Sequence, residues 1–267
     1  MAIRIVQSKQ NTRVKELRSA LLRPARTDAE AVAIEGVNLL AEAIRSNIAI
    51  ETIFIAQGHE ALLDELEIAG SIEILALPAE VLASAVSTET PQPIAALVRR
   101  PTWNWQQLLT PRALLIVLAG VQDPGNLGTI LRSAEAFGAT GAISLPGTVS
   151  HWNAKAVRAS AGSVFRLPLL TAPLGEYLAK MRQSNVQTFA AMAHQATPLD
   201  QADLTGPIAF LIGSEGNGLS AEIAAEADAR ITIPCPGPVE SLNAAVAASI
   251  LLYEAARQRN LQHRIKV

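Results

Sequence analysis

The run Ala113-Leu-Leu-Ile-Val-Leu-Ala constrains the fold more than any other stretch. It has no polar residue to mark a solvent face, neither every second position as in a half-buried strand nor every third or fourth as in an amphipathic helix. A short continuous apolar run suits a strand covered on both faces, the situation in parallel sheets flanked by helices. Further strands are predicted at Gly141-Ala-Ile-Ser-Leu, Thr188-Phe-Ala-Ala-Met, Ile208-Ala-Phe-Leu-Ile and Arg230-Ile-Thr-Ile. Helical stretches lie between and after them. One runs from Thr129 to Phe137 and stops at Gly138, a residue that adopts the left-handed conformation cheaply. The alternation predicts an α/β domain with a parallel sheet over residues 112–267.

The first half is read as a separate small α/β/α domain, residues 1–100. Apolar residues at Val32, Ile34, Val37, Leu40 and Ile44 predict a helix over Glu30–Arg45. Strands are predicted from Glu51 to Ala56, Ser71 to Ala76 and Ile94 to Val98, with a Gly58-His59 turn and a helix ending near Leu66. The segment Arg99-Arg-Pro-Thr-Trp-Asn-Trp-Gln-Gln breaks the pattern and marks a linker, residues 101–111. Its two Trp residues are assigned to packing against a domain rather than to stacking on bases.

Charge distribution says more than the net charge of −2. Arg4, Lys9, Arg13, Lys15, Arg18, Arg23 and Arg26 stand against one acid, Glu16, in the first 26 residues. This density resembles a phosphate-contacting arm, and Arg257, Arg259, Arg264 and Lys266 form a second basic group at the end. The single cysteine, Cys235, cannot form an internal disulfide, and the N-terminus lacks a signal-peptide pattern, so a cytoplasmic protein is expected. The nine-residue apolar run Ala244–Leu252 is far short of the ~20 needed to span a bilayer, so no membrane partner is expected. The four His are scattered, and with one Cys no metal site is expected.

Three loops at predicted strand ends carry the candidate chemistry. In open parallel sheets, ligands gather beyond the carboxyl ends of the strands. The first loop leads into Asn126-Leu-Gly-Thr-Ile-Leu-Arg132, with Asn126 read as a helix N-cap and Gly128 as a point of close backbone approach. It is not a P-loop, because no Gly-Lys-Ser/Thr follows, and the Gly-x-Gly-x-x-Gly dinucleotide fingerprint is absent. The second is Gly213-Ser-Glu215-Gly216-Asn-Gly218, where three glycines surround an acid. Gly213 and Gly216 permit a bend whose backbone faces a flat ligand. The third is Ile233-Pro-Cys-Pro-Gly-Pro-Val-Glu-Ser241-Leu242-Asn243, stiffened by three prolines and followed by a helix of small residues that allows close packing.

These loops resemble, in order and spacing, motifs one, two and three of the SpoU, or TrmH-type, RNA 2′-O-methyltransferases of the SPOUT superfamily. The resemblance covers residues 113–260, with Val157-Arg-Ala-Ser-Ala-Gly-Ser-Val-Phe-Arg-Leu-Pro and the closing Tyr253-Glu-Ala-Ala-Arg-Gln-Arg helix also similar. The first half is more loosely similar to the family's ribosomal-protein-L30e-like substrate-binding domain, through the basic arm, Glu35-Gly36 and Ser87 to Gln92, with Pro93 where Gly is expected.

The resemblance implies a C-terminal SPOUT domain with a parallel sheet and a deep trefoil knot, preceded by an L30e-like domain, and a homodimer formed through the catalytic domain. It implies S-adenosyl-L-methionine bound at Gly213, Gly216, Ile233, Ser241 and Leu242. Catalysis falls to Arg132, oriented with its substrate by Asn126, Glu215, Ser241 and Asn243. Arg13, Lys15, Arg18, Arg23 and Arg158 are candidate RNA contacts. In the family the arginine is proposed to take the proton, yet a guanidinium, with a pKa above ~12, is a poor acceptor at neutral pH. Phosphate binding and stabilisation of a developing alkoxide suit Arg132 better. The implied activity is methyl transfer to a ribose 2′-hydroxyl of structured RNA, ribosomal (23S) ahead of transfer RNA. Two readings stand beside it: a non-catalytic RNA-binding protein on the same fold, and a nucleotide-cofactor oxidoreductase.

Overall fold

The computed structural model describes residues 3–22, 31–86, 88 and 90–265, with side chains to residue 260. The chain forms two compact units, Met1–Thr102 with Trp152–Phe165, and Trp103–His151 with Arg166–Val267.

The first unit holds a five-stranded sheet. Its elements are β1 (Ile3–Ile5), α1 (Thr12–Leu22), β2 (Ala31–Glu35), α2 (Val37–Arg45), β3 (Ile50–Ala56), β4 (Glu73–Leu77), α3 (Ala79–Ala83) and β5 (Ile94–Arg99). The sheet order is β1-β4-β3-β5-β2, parallel from β1 to β3 and antiparallel from β3 to β2. Leu17 of α1, Phe54, Leu75 and Leu97 share its core.

The helix predicted over Glu30–Arg45 is in fact a strand and a helix. Gly36 separates them at φ 102°, a conformation that L side chains avoid, and its amide bonds Ile94 O at 2.9 Å. Val32 and Ile34 follow a two-residue period, and Leu40 and Ile44 a helical one, so the stretch joins two patterns. The helix expected near Leu66 is a single 3-10 turn, Glu60–Leu63.

The second unit carries α4 (Trp105–Leu108), β6 (Leu114–Leu118), α5 (Pro124–Ala136) and β7 (Gly141–Ser144). After β7 comes α6 (Ala154–Ala159), which belongs to the first unit. The chain continues through β8 (Leu169–Thr171), α7 (Leu174–Gln183), β9 (Gln187–Ala191), β10 (Thr197–Pro198), β11 (Ile208–Ile212), α8 (Ala221–Ala225), β12 (Ala229–Thr232) and α9 (Ala244–Ile265). The seven strands are all parallel, in the order β10-β12-β9-β11-β6-β7-β8. Every residue of β6, β7 and β11 is buried, as the continuous apolar runs require. Trp105 packs against this core and donates its indole N–H to Glu176 at 2.8 Å.

Arg259 departs from its reading as part of a basic surface group. It is 8% exposed and donates to the carbonyls of Arg112, Ala113, Leu204 and Gly206. Beside it, Gln258 accepts from Leu204 N and donates to Ala202 O. The end of α9 is therefore fastened to the segments that precede β6 and β11. Arg257 pairs with Glu254 instead.

Candidate active site

Four neighbouring strands, β12, β9, β11 and β6, end at the same edge of the sheet, so the loops that follow them converge. Helix α5 opens the loop after β6. Its N-cap is Asp123, whose carboxylate accepts from Asn126 N at 2.8 Å, and Pro124 takes the first helical position. The sequence assigned the cap to Asn126. With Asp123 in that role, the Asn126 side chain is free to bond elsewhere, and the helix begins five residues before the expected Thr129.

Asn126 links all three motif loops. Its Nδ2 donates to Glu215 Oε1 at 3.0 Å, and its Oδ1 accepts from Asn243 Nδ2 at 3.1 Å. Asn243 in turn caps α9, accepting from the amides of Ala245 and Val246 at 2.9 and 3.3 Å. Those two backbone donors fix which end of Asn243 is oxygen. That fixes the orientation of Asn126, and hence the donor presented to Glu215.

Glu215 also accepts from the amides of Gln122 and Asp123, at 3.3 and 3.2 Å. Desolvation opposes its ionisation. The hydrogen bonds from Asn126 and the backbone outweigh that effect and hold the carboxyl below its ordinary range. One carboxylate thus ties the loop after β11 to the start of α5.

The glycines of the second loop serve different ends. A Cβ on Gly213 would lie 2.0 Å from the carbonyl carbon of Gly218, so the loop closes on itself only with glycine there. The closure is a pair of 3.0 Å bonds between Ser214 and Gly218, and Gly218 sits at φ 65°. Gly216 meets nothing within 4 Å and has no positive φ. Its lack of a side chain has no intramolecular cause and leaves backbone open to a ligand.

Between the second and third motif loops lies a cavity of about 650 Å³; the first loop meets it only through Glu215. Gly213, Glu215, Gly216, Ile233, Ser241 and Leu242 all line it. Its volume lies inside the ~300–1,000 Å³ range of ligand pockets, and its walls mix apolar side chains with backbone and a few polar groups. A more open hollow of about 710 Å³ runs along Ala224–Arg230, and of these six residues it contains none. Asn126 and Asn243 stand behind the cavity wall through Glu215. Arg132 is exposed, two turns into α5, and no described residue pairs with its guanidinium. It does not line the cavity; left unpaired on the helix whose first turn carries Asn126, it is available to an anionic substrate.

The sequence matches the model of the SpoU rRNA methylase family over residues 113–253, and that of the MRM3-like substrate-binding domain over residues 11–96. It is 32% identical over 248 residues to the 23S rRNA (guanosine(2553)-2′-O)-methyltransferase RlmP of Bacillus subtilis, covering 93% of this chain and 97% of RlmP. The fold superposes on the AdoMet-bound rRNA methyltransferase of Sinorhizobium meliloti with a TM-score of 0.83, at 30% identity, covering 96% of this chain and 98% of that one. The SpoU methyltransferase AviRb of Streptomyces viridochromogenes, in complex with AdoMet, gives 0.82 at 28% identity, covering 94% and 99%. The chain belongs to the SpoU rRNA methylase family.

Membership sets aside the oxidoreductase reading. The structure of this SpoU protein adds a wall that the sequence had not singled out, beside those of the second and third motif loops: Met192, Ala193, His194 and Gln195, in the loop after β9. The carboxyl-end rule applied to Thr188–Met192 would have pointed to it. Glu240, in the third loop, also faces the cavity and was not singled out.

The basic candidates of the SpoU first unit are not alike. Arg13 pairs with Glu16 at 2.8 Å and Glu73 at 3.3 Å, and Arg18 donates to Ser84 O and Oγ. Lys15 and Arg158 are exposed. Arg23 lies outside the described residues, as do Arg26 and Ser87.

Proposed function

We propose that this SpoU protein transfers a methyl group from S-adenosyl-L-methionine to a ribose 2′-hydroxyl of structured RNA, ribosomal (23S) ahead of transfer RNA. The observation that carries the reading is the 650 Å³ cavity, walled by the second and third motif loops and the segment after β9, together with the Asn126–Glu215 bond that ties the second loop to the start of α5, the helix that bears Arg132. The relatives' printed substrates and bound AdoMet support the choice of substrate and cofactor.

When bound, the cofactor supplies an electrophilic methyl on a sulfonium. The backbone of Gly213 and Gly216, with Ile233, Leu242 and Ser241, holds it. Arg132 grips the phosphate next to the target ribose and stabilises negative charge on O2′ as its proton leaves to water. Asn126, Glu215 and Asn243 hold the start of α5, and with it Arg132, in register with the cavity. Positioning of this kind supplies much of the rate, because the methyl group is already activated. Selectivity for RNA follows from the need for a 2′-hydroxyl.

The finer architecture belongs to the same reading. Residues 1–100 form an L30e-like RNA-binding domain, joined by a linker at 101–111 to a catalytic domain, 112–267, whose C-terminal chain is threaded as a trefoil knot. Arg13, Lys15, Arg18, Arg23 and Arg158 meet RNA phosphates. Two chains pair through α5 and α9, which pack on each other through Ser133 and Ser249, 2.7 Å apart, and through edge-on Phe137 and Tyr253. Val246 and Tyr253 of α9 remain 48% and 54% exposed in the single chain and supply apolar surface to the dimer. The enzyme works in the cytoplasm and needs no metal.

Transfer of tritium from labelled S-adenosylmethionine into ribosomal and transfer RNA, followed by nuclease mapping, tests this. Label in a 2′-O-methyl nucleoside of 23S RNA is expected. No incorporation into either RNA would leave a non-catalytic binder.

A further inference from the structure

The cavity is lined by a single side chain able to carry positive charge, and His194 is that residue. Its lining acids are Glu215 and Glu240. Both oxygens of Glu215 already accept hydrogen bonds, from Asn126 and the amides of Gln122 and Asp123. Glu240 is exposed, with no partner among the described residues. The cavity therefore offers one available acid and one available imidazole, on separate loops after β12 and β9. The loop carrying His194 is held in an unusual shape: the next residue, Gln195, sits at φ 55° without being glycine. L side chains rarely adopt such a conformation.

S-adenosylmethionine carries one anion, its α-carboxylate, an α-ammonium on the same carbon, and a sulfonium cation that S-adenosylhomocysteine lacks, so a loss of S-adenosylhomocysteine affinity reports on the amino-acid end alone. The adenosyl portion has no formal charge at neutral pH. An isolated acid and an isolated base facing one cavity match the amino-acid end and have no counterpart on the nucleoside. We propose that His194 binds the cofactor's carboxylate and Glu240 its ammonium, so that this pair recognises the amino-acid end while the glycine loops take the adenosine. The inference rests on the cofactor reading above and adds two binding residues that the motif loops did not single out for this role.

Titration calorimetry on the full-length protein tests it with two ligands. S-adenosylhomocysteine has the amino-acid end; 5′-methylthioadenosine has the same nucleoside and thioether without it. His194→Ala and Glu240→Gln are each expected to weaken S-adenosylhomocysteine about tenfold, the scale of one charge-assisted hydrogen bond, and to leave 5′-methylthioadenosine unchanged. His194→Gln, which keeps a hydrogen-bonding side chain of similar reach without the charge, is expected to lose most of the same factor. Because both residues are exposed, the unfolding midpoint should not move. Equal loss for both ligands, or none for either, would overturn the assignment. Failure of the unmutated protein to bind either compound would instead remove the cofactor reading, and the pair with it.

Discussion

The two edges of the seven-stranded sheet use similar residues to opposite ends. On the carboxyl side, glycine loops leave a cavity open, and Arg132, on the helix that starts at that edge, is exposed and unpaired among the described residues. At the amino edge, Arg259 is buried and donates to four backbone carbonyls just ahead of β6 and β11. A cation whose donors are all engaged fixes a fold and cannot serve a substrate. A cation without partners contributes little to stability, where exposed charges are worth at most about 1 kcal/mol, and stays available for chemistry. Partnership rather than residue type separates the site from the scaffold.

The sharpest way to break this contrast is to remove each arginine. Arg132→Ala is expected to lower methyl transfer by about a hundredfold or more, the scale of a lost transition-state contact, with S-adenosylhomocysteine affinity and unfolding midpoint unchanged. Unchanged turnover would take Arg132 out of the mechanism. Arg259→Met should do the reverse. It leaves buried carbonyls short of donors and is expected to cost about 3 kcal/mol, lowering the midpoint by roughly 6–12 °C, while turnover of the folded enzyme at 25 °C is retained. A thermal melt that did not move would show the clamp to be dispensable.

A smaller effect sharpens the comparison at Glu215. Its carboxyl lies below the ordinary value of 4.5, so its ionised form is favoured in the folded loops. Whatever it adds to their order is fully present above pH 4.5 and is lost as pH falls through its lowered pKa. Glu215→Gln keeps one acceptor oxygen and turns an amino group toward backbone donors. About a tenfold loss in kcat/KM is expected, and the acid-side loss of cofactor binding expected of the parent should be flattened in the variant. Superimposable pH profiles from calorimetry would show that Glu215 does not organise the site.

Most of the second unit was legible in the sequence, because strands buried on both faces leave an unbroken apolar record, as at Leu114–Leu118 and Ile208–Ile212. The residues around the cavity were legible as motifs, but their division of labour was not. Asn126 reads as a cap until Asp123 is seen in that place. Arg259 reads as a surface charge, although it continues the buried series Ala248, Leu252 and Ala255 at helical spacing. His194 carries no local signal at all: it follows an alanine-rich strand, and only the neighbouring strand order brings it to the cavity. The first unit was less legible. Its second strand runs into a helix across one glycine, Gly36, and its last segment, Trp152–Phe165, arrives from the middle of the other half of the sequence. Trp152 and Phe165, the two ends of that segment, are buried with ring centroids 6.3 Å apart, a pairing that no local period records.

The mildest test lies within one loop. Gly213 and Gly216 are three residues apart and chemically identical, yet a Cβ on the first would collide with Gly218 and on the second would meet nothing within 4 Å. Gly216→Ala should therefore leave stability within about 0.5 kcal/mol of the parent, as for a surface change that touches no special feature. If the Gly216 backbone lies against the cofactor, the added methyl stands between them, and S-adenosylhomocysteine affinity should fall several-fold while the melt is unmoved. If affinity also stays put, Gly216 has neither a folding role nor a ligand role. The glycine-rich character of this loop then reduces to the needs of its own closure, Gly213 for the close approach and Gly218 for the left-handed turn, and the carboxyl edge would owe its openness to fewer residues than its sequence suggests.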